Sequence, residues 1–460
     1  MKFTFPEGFL FGAASSAVQI EASPCVDGKG VDAWQHYCKV FPERFIDGDP
    51  EKGADFYHRY PEDIKLMKEL GLKSFRFSIA WSRIYPNDPE NINQLGIDYY
   101  HKVLDELIKN DIVPLFDLWH CDLPMWVIDR GGVYNPEFID WYLTYAKTCF
   151  KEFGDKVQYW STVNEPQCNV MAGYAWGNHP PFEKDIRKSL QASHNMIIAH
   201  FKTVKLFREM GLKGKIGLVN HFQLAYGATL DEKDQAAAER DMDFYSNWYT
   251  DAIFLGRYPE SVFAYPYIKD NMPKDYQKDL DENFVKTDFI GINYYGAYRI
   301  GYTKNDEMDY EVVKGDPQDA YCFTINPAGI FDIIKYVHER YPGLDVFISE
   351  NGISRKRPGY PEDPLRPTKQ IDTYEEELED NYRISYMREH LRGIVRAISA
   401  GYPVKGYYHW TIMDTTEGMC GGYSISFGLI QVRFDKPEKT RTPKKSYYYY
   451  KKVIENGAVE

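Results

Sequence analysis

At 460 residues, with 43% hydrophobic and 27% charged, the chain has material for a large core and lacks the composition of a disordered protein. Its formal net charge of −13 argues against nucleic acid or an anionic membrane as a partner, since both need clustered Lys and Arg. Seven scattered cysteines without CxxC spacing signal neither a disulfide framework nor a zinc site, so a reducing cytoplasm is the expected setting.

Taken in chain order, the opening segment carries no charged leader or long apolar run, and short runs rich in Val, Ile, Phe and Tyr then alternate with helical stretches. A first strand is predicted over 9–17. A Pro-led helix over 61–70 precedes a second strand over 74–80, and a helix over 97–109 precedes a third over 113–120. Helices over 136–153 and 186–210 precede a fourth strand over 158–165 and a fifth over 215–222. Strands over 288–295, 345–351 and 404–411 follow, the last after a helix over 377–400. Eight such units predict an α/β fold, a (β/α)8 TIM barrel that fills 1–460 as a single domain. The irregular stretches 302–320 and 355–372 follow strands six and seven and are expected to wall a cleft on the C-terminal face. The competing doubly wound sheet calls for a Gly-rich phosphate turn after its first strand, which Gly12-Ala13-Ala14-Ser15 is not. The basic stretch 436–445, interrupted by Pro437 and Pro443, reads as a solvated loop.

Polar residues punctuate the ends of these apolar strands: Gln19, Arg76, His120, Asn164 and Glu165, Asn220, Asn293 and Tyr295, Glu350, and Trp410. In a barrel they converge on one bowl. A lone Glu at a strand end is ordinarily a salt bridge or helix cap. Two, on strands four and seven, face each other across the mouth, and cleaving a glycosidic bond takes two carboxyl groups flanking the anomeric carbon. The aromatic content of 16% suits a cleft that stacks on sugar faces, or equally an aromatic core.

Asn164-Glu165-Pro166 and Ser349-Glu350-Asn351-Gly352 each end a strand. Together with Phe9-Leu10-Phe11-Gly12-Ala13-Ala14-Ser15-Ser16-Ala17, Gln19-Ile20-Glu21, Phe75-Arg76-Phe77-Ser78, Asn293-Tyr294-Tyr295 and Arg441-Thr442-Pro443-Lys444-Lys445-Ser446, they resemble family 1 of the glycoside hydrolases along the whole chain. The resemblance implies a retaining β-glycosidase without metal or cofactor. It makes Glu350 the nucleophile, held ionised by Arg76 and Tyr295, and Glu165 the acid/base, its carboxyl raised by apolar walls and by Glu350. It makes Asn164 the donor to the sugar 2-hydroxyl. Gln19, His120 and Glu417 become ligands of the other sugar hydroxyls, Asn293 joins the substrate site, and Trp410 becomes a stacking floor. The substrate is then a small β-glycoside, foremost a β-glucoside.

Two departures fall in the sugar pocket. Cys121 follows His120 where the family has Trp, and Gly418 follows Glu417 where it again has Trp. The loop Gly418-Met419-Cys420-Gly421-Gly422-Tyr423 is also one residue longer. Either Met419 or the extra residue refills the gap, or the glycone differs: glucose substituted at O6 or O3, or another sugar. A 6-phospho-glycoside is disfavoured because Glu417 repels a dianion, and Ser424, Ile425 and Phe427 supply no phosphate clamp. A catalytically silent sugar-binding barrel and an inverting hydrolase are the remaining rivals.

Overall fold

The computed structural model describes residues 3–22, 24–45, 48–359, 370–418 and 422–460. Eight parallel strands close into a barrel in chain order: Leu10–Ala14, Ser74–Ser78, Val113–Asp117, Tyr159–Asn164, Lys215–His221, Phe289–Asn293, Asp345–Asn351 and Val404–Trp410. The eighth pairs with the first, from Gly406 opposite Leu10 to Trp410 opposite Ala14, which leaves the barrel no open edge. All eight predicted strands are present. Several predictions ran past the last ladder pair, and that overshoot holds His120, Glu165 and Tyr295, which sit just beyond their strands.

Side chains fill the barrel interior. Phe347 packs edge-on to Phe289 at 5.2 Å and to Tyr159 at 5.3 Å, with Tyr408 beyond. Gly12 makes room for that last ring, since a Cβ there would lie 2.4 Å from Tyr408 Cδ1. A second, larger apolar cluster joins the outer strand faces to the surrounding helices. The helix Phe138–Phe153 shows how: Tyr142, Ala146, Cys149, Phe150 and Phe153 are buried at three- and four-residue spacing along one face. The chain ends meet below the barrel, where Phe3–Thr4 pairs with Ala458–Val459.

Four sequence expectations change. The Pro-led helix begins earlier, at Phe56, because Phe56 and Tyr57 are buried, and Pro61 is carried inside it. The helix over 377–400 is two, Tyr374–Leu378 and Asn381–Ser399. At the break Asp380 accepts from Ser446 N at 2.8 Å and Ser446 Oγ at 2.6 Å, a tertiary contact that replaces helix continuity. The stretch 302–320 is not irregular throughout, since Tyr310–Val312 pairs with Ala297–Tyr302; residues 360–369 of the other long loop lie outside the described residues. The basic stretch is a solvated turn only over 436–440. Arg441–Pro443 pairs with Ile430–Val432, Arg441 meets Asp63 at 2.9 Å, and fully buried Lys444 meets Asp414 at 2.7 Å and Glu377 at 3.3 Å. Among the described residues no helix is long and apolar enough to cross a membrane.

Candidate active site

The C-terminal strand ends enclose a cleft of about 690 Å³ lined by Gln19, His120, Cys121, Glu165, Tyr295, Glu350, Trp410, Glu417 and Gly418, among others. It holds both predicted carboxyl groups. Arg76, Asn164 and Asn293 lie buried beneath it as a connected floor.

Arg76, on strand two, is fully buried and organises that floor. Its Nη1 donates to Glu350 Oε1 at 2.6 Å, and its Nη2 donates to Asn164 Oδ1 at 2.7 Å. Nη2 also lies 2.7 Å from Asp117 Oδ2, so the guanidinium spans two carboxylates. Tyr295 OH donates to the other Glu350 oxygen at 2.6 Å. Asp117 was not singled out in the sequence. The only signal for it was an acid ending an otherwise apolar strand, three residues before His120.

Asn293 links the two carboxyl groups. Its Nδ2 donates to Glu165 Oε1 at 2.6 Å and to Asn164 Oδ1 at 2.9 Å, while Ser349 Oγ donates to its Oδ1 at 2.7 Å. Its strand also pairs Asn293 with Glu350 directly. Both ends of the Asn293 amide are thus engaged within the floor of the cleft. Asn164 Oδ1 accepts from Arg76, so its Nδ2 is the donor facing His120 Nε2 at 3.1 Å. The imidazole proton then sits on Nδ1, toward Asp117 Oδ2 at 3.8 Å. His120 stacks on Trp410 at 5.7 Å and 16°, and Gln19 is oriented by Thr416 O at 2.8 Å and Ser16 Oγ at 2.6 Å.

Glu165 stands in the left-handed backbone region, with φ +48. Such a conformation at a non-glycine costs on the order of 1–3 kcal/mol and collects at functional sites. Here it turns the chain out of strand four while Glu165 N bonds Val219 O at 3.0 Å. Asn220 behaves differently from its sequence expectation. It bonds Ser246 O and His221 O behind the wall, and its neighbour His221 faces the cleft, held by Tyr245 OH at 2.8 Å. Neither His221 nor Tyr245 carried a sequence signal.

Burial raises both carboxyl groups. At Glu165 burial is more than offset by attraction to His221, the Asn293 amide and the Cys168 thiol, which leaves it below its ordinary value. At Glu350 burial, with repulsion from Glu165, exceeds the attraction of Arg76 and leaves it raised. That order reverses the sequence expectation. His221, however, attracts Glu165 only as an imidazolium, and burial pushes His221 itself down. A neutral ring supplies no such charge. Among the described residues Arg76 is then the one full cation in contact with either carboxyl group, and it touches Glu350.

The space beside Glu417 belongs to Trp34, from the helix Ala33–Val40. A Cβ at Gly418 would lie 2.9 Å from Trp34 Cζ3, and Gly418 itself has φ +53. Trp34 Nε1 donates to Cys121 O at 2.9 Å, and the ring packs edge-on to His179 at 5.4 Å. One indole therefore abuts both positions at which the sequence lacks an expected Trp. Met419, the residue expected to refill the gap, lies outside the described residues. Among the described residues no three His, Cys, Asp or Glu side chains are grouped to hold a metal ion.

The comparisons with known proteins agree with this geometry. The profile of glycosyl hydrolase family 1 matches residues 1–458. β-Glucosidase A of Thermotoga maritima is 35% identical over 461 residues, covering 99% of both chains. The 6-phospho-β-glucosidase GmuD of Bacillus subtilis is 34% identical over 472 residues, covering 99% of this chain and 98% of its own. The solved structure of the Thermotoga maritima β-glucosidase in complex with glucoimidazole superposes with a TM-score of 0.92 at 34% identity, covering all of both chains. The chain belongs to glycosyl hydrolase family 1 and is a retaining β-glycosidase.

Proposed function

We propose that the chain hydrolyses β-O-glucosides, or glucosides modified at C6 or C3, by double displacement, with Glu350 as nucleophile and Glu165 as acid/base. The observation that carries the reading is the asymmetry of the two carboxyl groups. Glu350 rests on Arg76 and the Tyr295 hydroxyl, each at 2.6 Å, which favour its charged form. Glu165 has an amide on one oxygen and no cation, so burial and the negative Glu350 leave the shared proton there.

In the first step a Glu350 oxygen attacks the anomeric carbon while Glu165 passes its proton to the departing glycosidic oxygen. The resulting ester removes the negative charge that kept Glu165 protonated. Glu165 then takes a proton from water, whose oxygen displaces Glu350 and restores the starting carboxylate. Asn164 Nδ2 is the donor offered to the 2-hydroxyl, with Gln19, His120 and Glu417 on the remaining hydroxyls and Trp410 beneath the ring. Relatives named as β-glucosidases support a glucose glycone. Glu417 in the cleft wall weighs against a phosphate at C6 despite the 6-phospho-β-glucosidase relative. Cys25, Cys38, Cys121, Cys149 and Cys168 form no disulfide, which supports a cytoplasmic setting.

Proton NMR of nitrophenyl β-glucoside hydrolysis tests the reading: the first-formed sugar is expected to be the β-anomer. An α-anomer would point to an inverting enzyme, and binding without turnover on any glycone to a silent barrel.

Trp34 gives a second test. Trp34→Ala is expected to raise KM for β-glucosides about tenfold while changing kcat less, because the ring lines the pocket beside Cys121 and Gly418. Trp34→Phe, which keeps an aromatic ring but loses the N–H to Cys121 O, should fall between wild type and Ala. A glycone panel on the same variants reads out selectivity. An unchanged KM in Trp34→Ala would remove Trp34 from the sugar pocket wall.

A further inference from the structure

Two cations, Arg44 and Lys184, line the same cleft away from the carboxyl pair. They come from distant parts of the chain and meet on one residue. Arg44 Nη1 donates to Gly177 O at 3.3 Å, and the stem of Lys184 lies over Gly177, where a Cβ would be 2.9 Å from Lys184 Cγ and 3.0 Å from its Cε. The guanidinium is fixed further by the rings of Phe182, at 4.6 Å, and Phe41, at 5.6 Å.

Ion pairing does not account for this arrangement. Among the described residues no carboxylate lies within ion-pair distance of Arg44 or Lys184. Of the acids flanking Lys184 in sequence, Glu183 pairs with Lys188 at 2.5 Å and Asp185 caps the helix that follows. Both side chains are exposed, so on a chain of net charge −13 they offer the cleft a local positive spot open to an anion. Arg44 is held by its face and by one N–H, so its other N–H groups remain for a planar, bidentate acceptor.

The position indicates which part of the substrate would carry that acceptor. Gly177 follows Trp176, which stacks on Tyr245 at 6.1 Å and 4°. Tyr245 holds His221, and the segment Gln167–Ala175 leads here directly from Glu165. This is the wall on the side of the proposed acid, where the leaving group departs.

We propose that Arg44 and Lys184 form an anion subsite for the leaving group, so that the enzyme favours β-glycosides of acidic aromatic aglycones, with Trp176 and Tyr245 against the ring and the two cations on a carboxylate. The inference rests on the β-glucosidase reading above.

The test compares 4-carboxyphenyl β-glucoside with its neutral methyl ester, in wild type and in Arg44→Gln/Lys184→Gln. The double variant is expected to lower kcat/KM for the acid about tenfold, mainly through KM, and to leave the ester within about twofold. Salt at 0.5 M should bring wild type toward the variant for the acid alone, because exposed charges are screened. Normal ester turnover in the variant also reports that it folds. If acid and ester respond alike to the double substitution, the anion subsite is refuted while the β-glucosidase reading stands. If wild type hydrolyses neither substrate, the β-glucosidase reading itself fails. An effect seen only with 6-phosphoglucosides would move the anion to the glycone and overturn the leaving-group assignment.

Discussion

Glu350→Ala is expected to lower kcat on β-glucosides by on the order of 10⁵-fold, the largest effect of any single substitution in the molecule. Without the carboxylate no glycosyl ester forms, so even substrates with excellent leaving groups stall. Added azide should restore turnover. The small anion enters the space the side chain left, attacks the anomeric carbon from that face, and yields the α-glycosyl azide while Glu165 still protonates the leaving group. The fold should survive, because Arg76 keeps Asp117 at 2.7 Å and Asn164 at 2.7 Å, and is therefore not stranded as a buried unpaired charge. A near-normal rate, or a β-azide, would show that another group is the nucleophile. A thermal melt within a few degrees of wild type guards against a folding artefact.

The same floor explains what could and could not be seen in the sequence. The strand ends were legible because a closed barrel needs eight short apolar runs, and a polar residue ending such a run has few structural reasons to be there. Glu165 and Glu350 stood out as a pair on opposite strands, each set in a family-like segment, Asn164-Glu165-Pro166 and Ser349-Glu350-Asn351-Gly352. Asp117 did not, because its meaning lies in Arg76 on the neighbouring strand, and one acid at the end of an apolar run looks like any solvated turn. Lys444 was misread in the same way. Its partners Asp414 and Glu377 belong to other elements, and without them a basic stretch between prolines reads as exposed. Trp34 is the clearest case. From the positions of Cys121 and Gly418 the pocket looked short of two indoles, yet a helix between strands one and two brings one ring against both. Absences of side chains along the chain are legible, but what fills the space is a tertiary fact.

Glu165→Ala should separate substrates by their leaving group. For alkyl β-glucosides kcat/KM is expected to fall by at least about 10³-fold, since the departing alkoxide needs the proton, whereas a dinitrophenyl β-glucoside should lose far less in the first step. With the activated substrate the ester should then accumulate as a burst, because the base that deprotonates water is missing. Azide, which needs no base, should clear it. The product here should be the β-azide, opposite to the Glu350→Ala product, because Glu350 still performs the first displacement. The pH profile supplies an independent check. A general acid that must start protonated makes wild-type kcat/KM fall as pH rises through its proton loss. That alkaline limb should vanish in Glu165→Ala with the activated substrate. Equal losses on alkyl and dinitrophenyl substrates, with the alkaline limb intact, would place the acid elsewhere and leave His221, held beside Glu165 by Tyr245, as the next group to test.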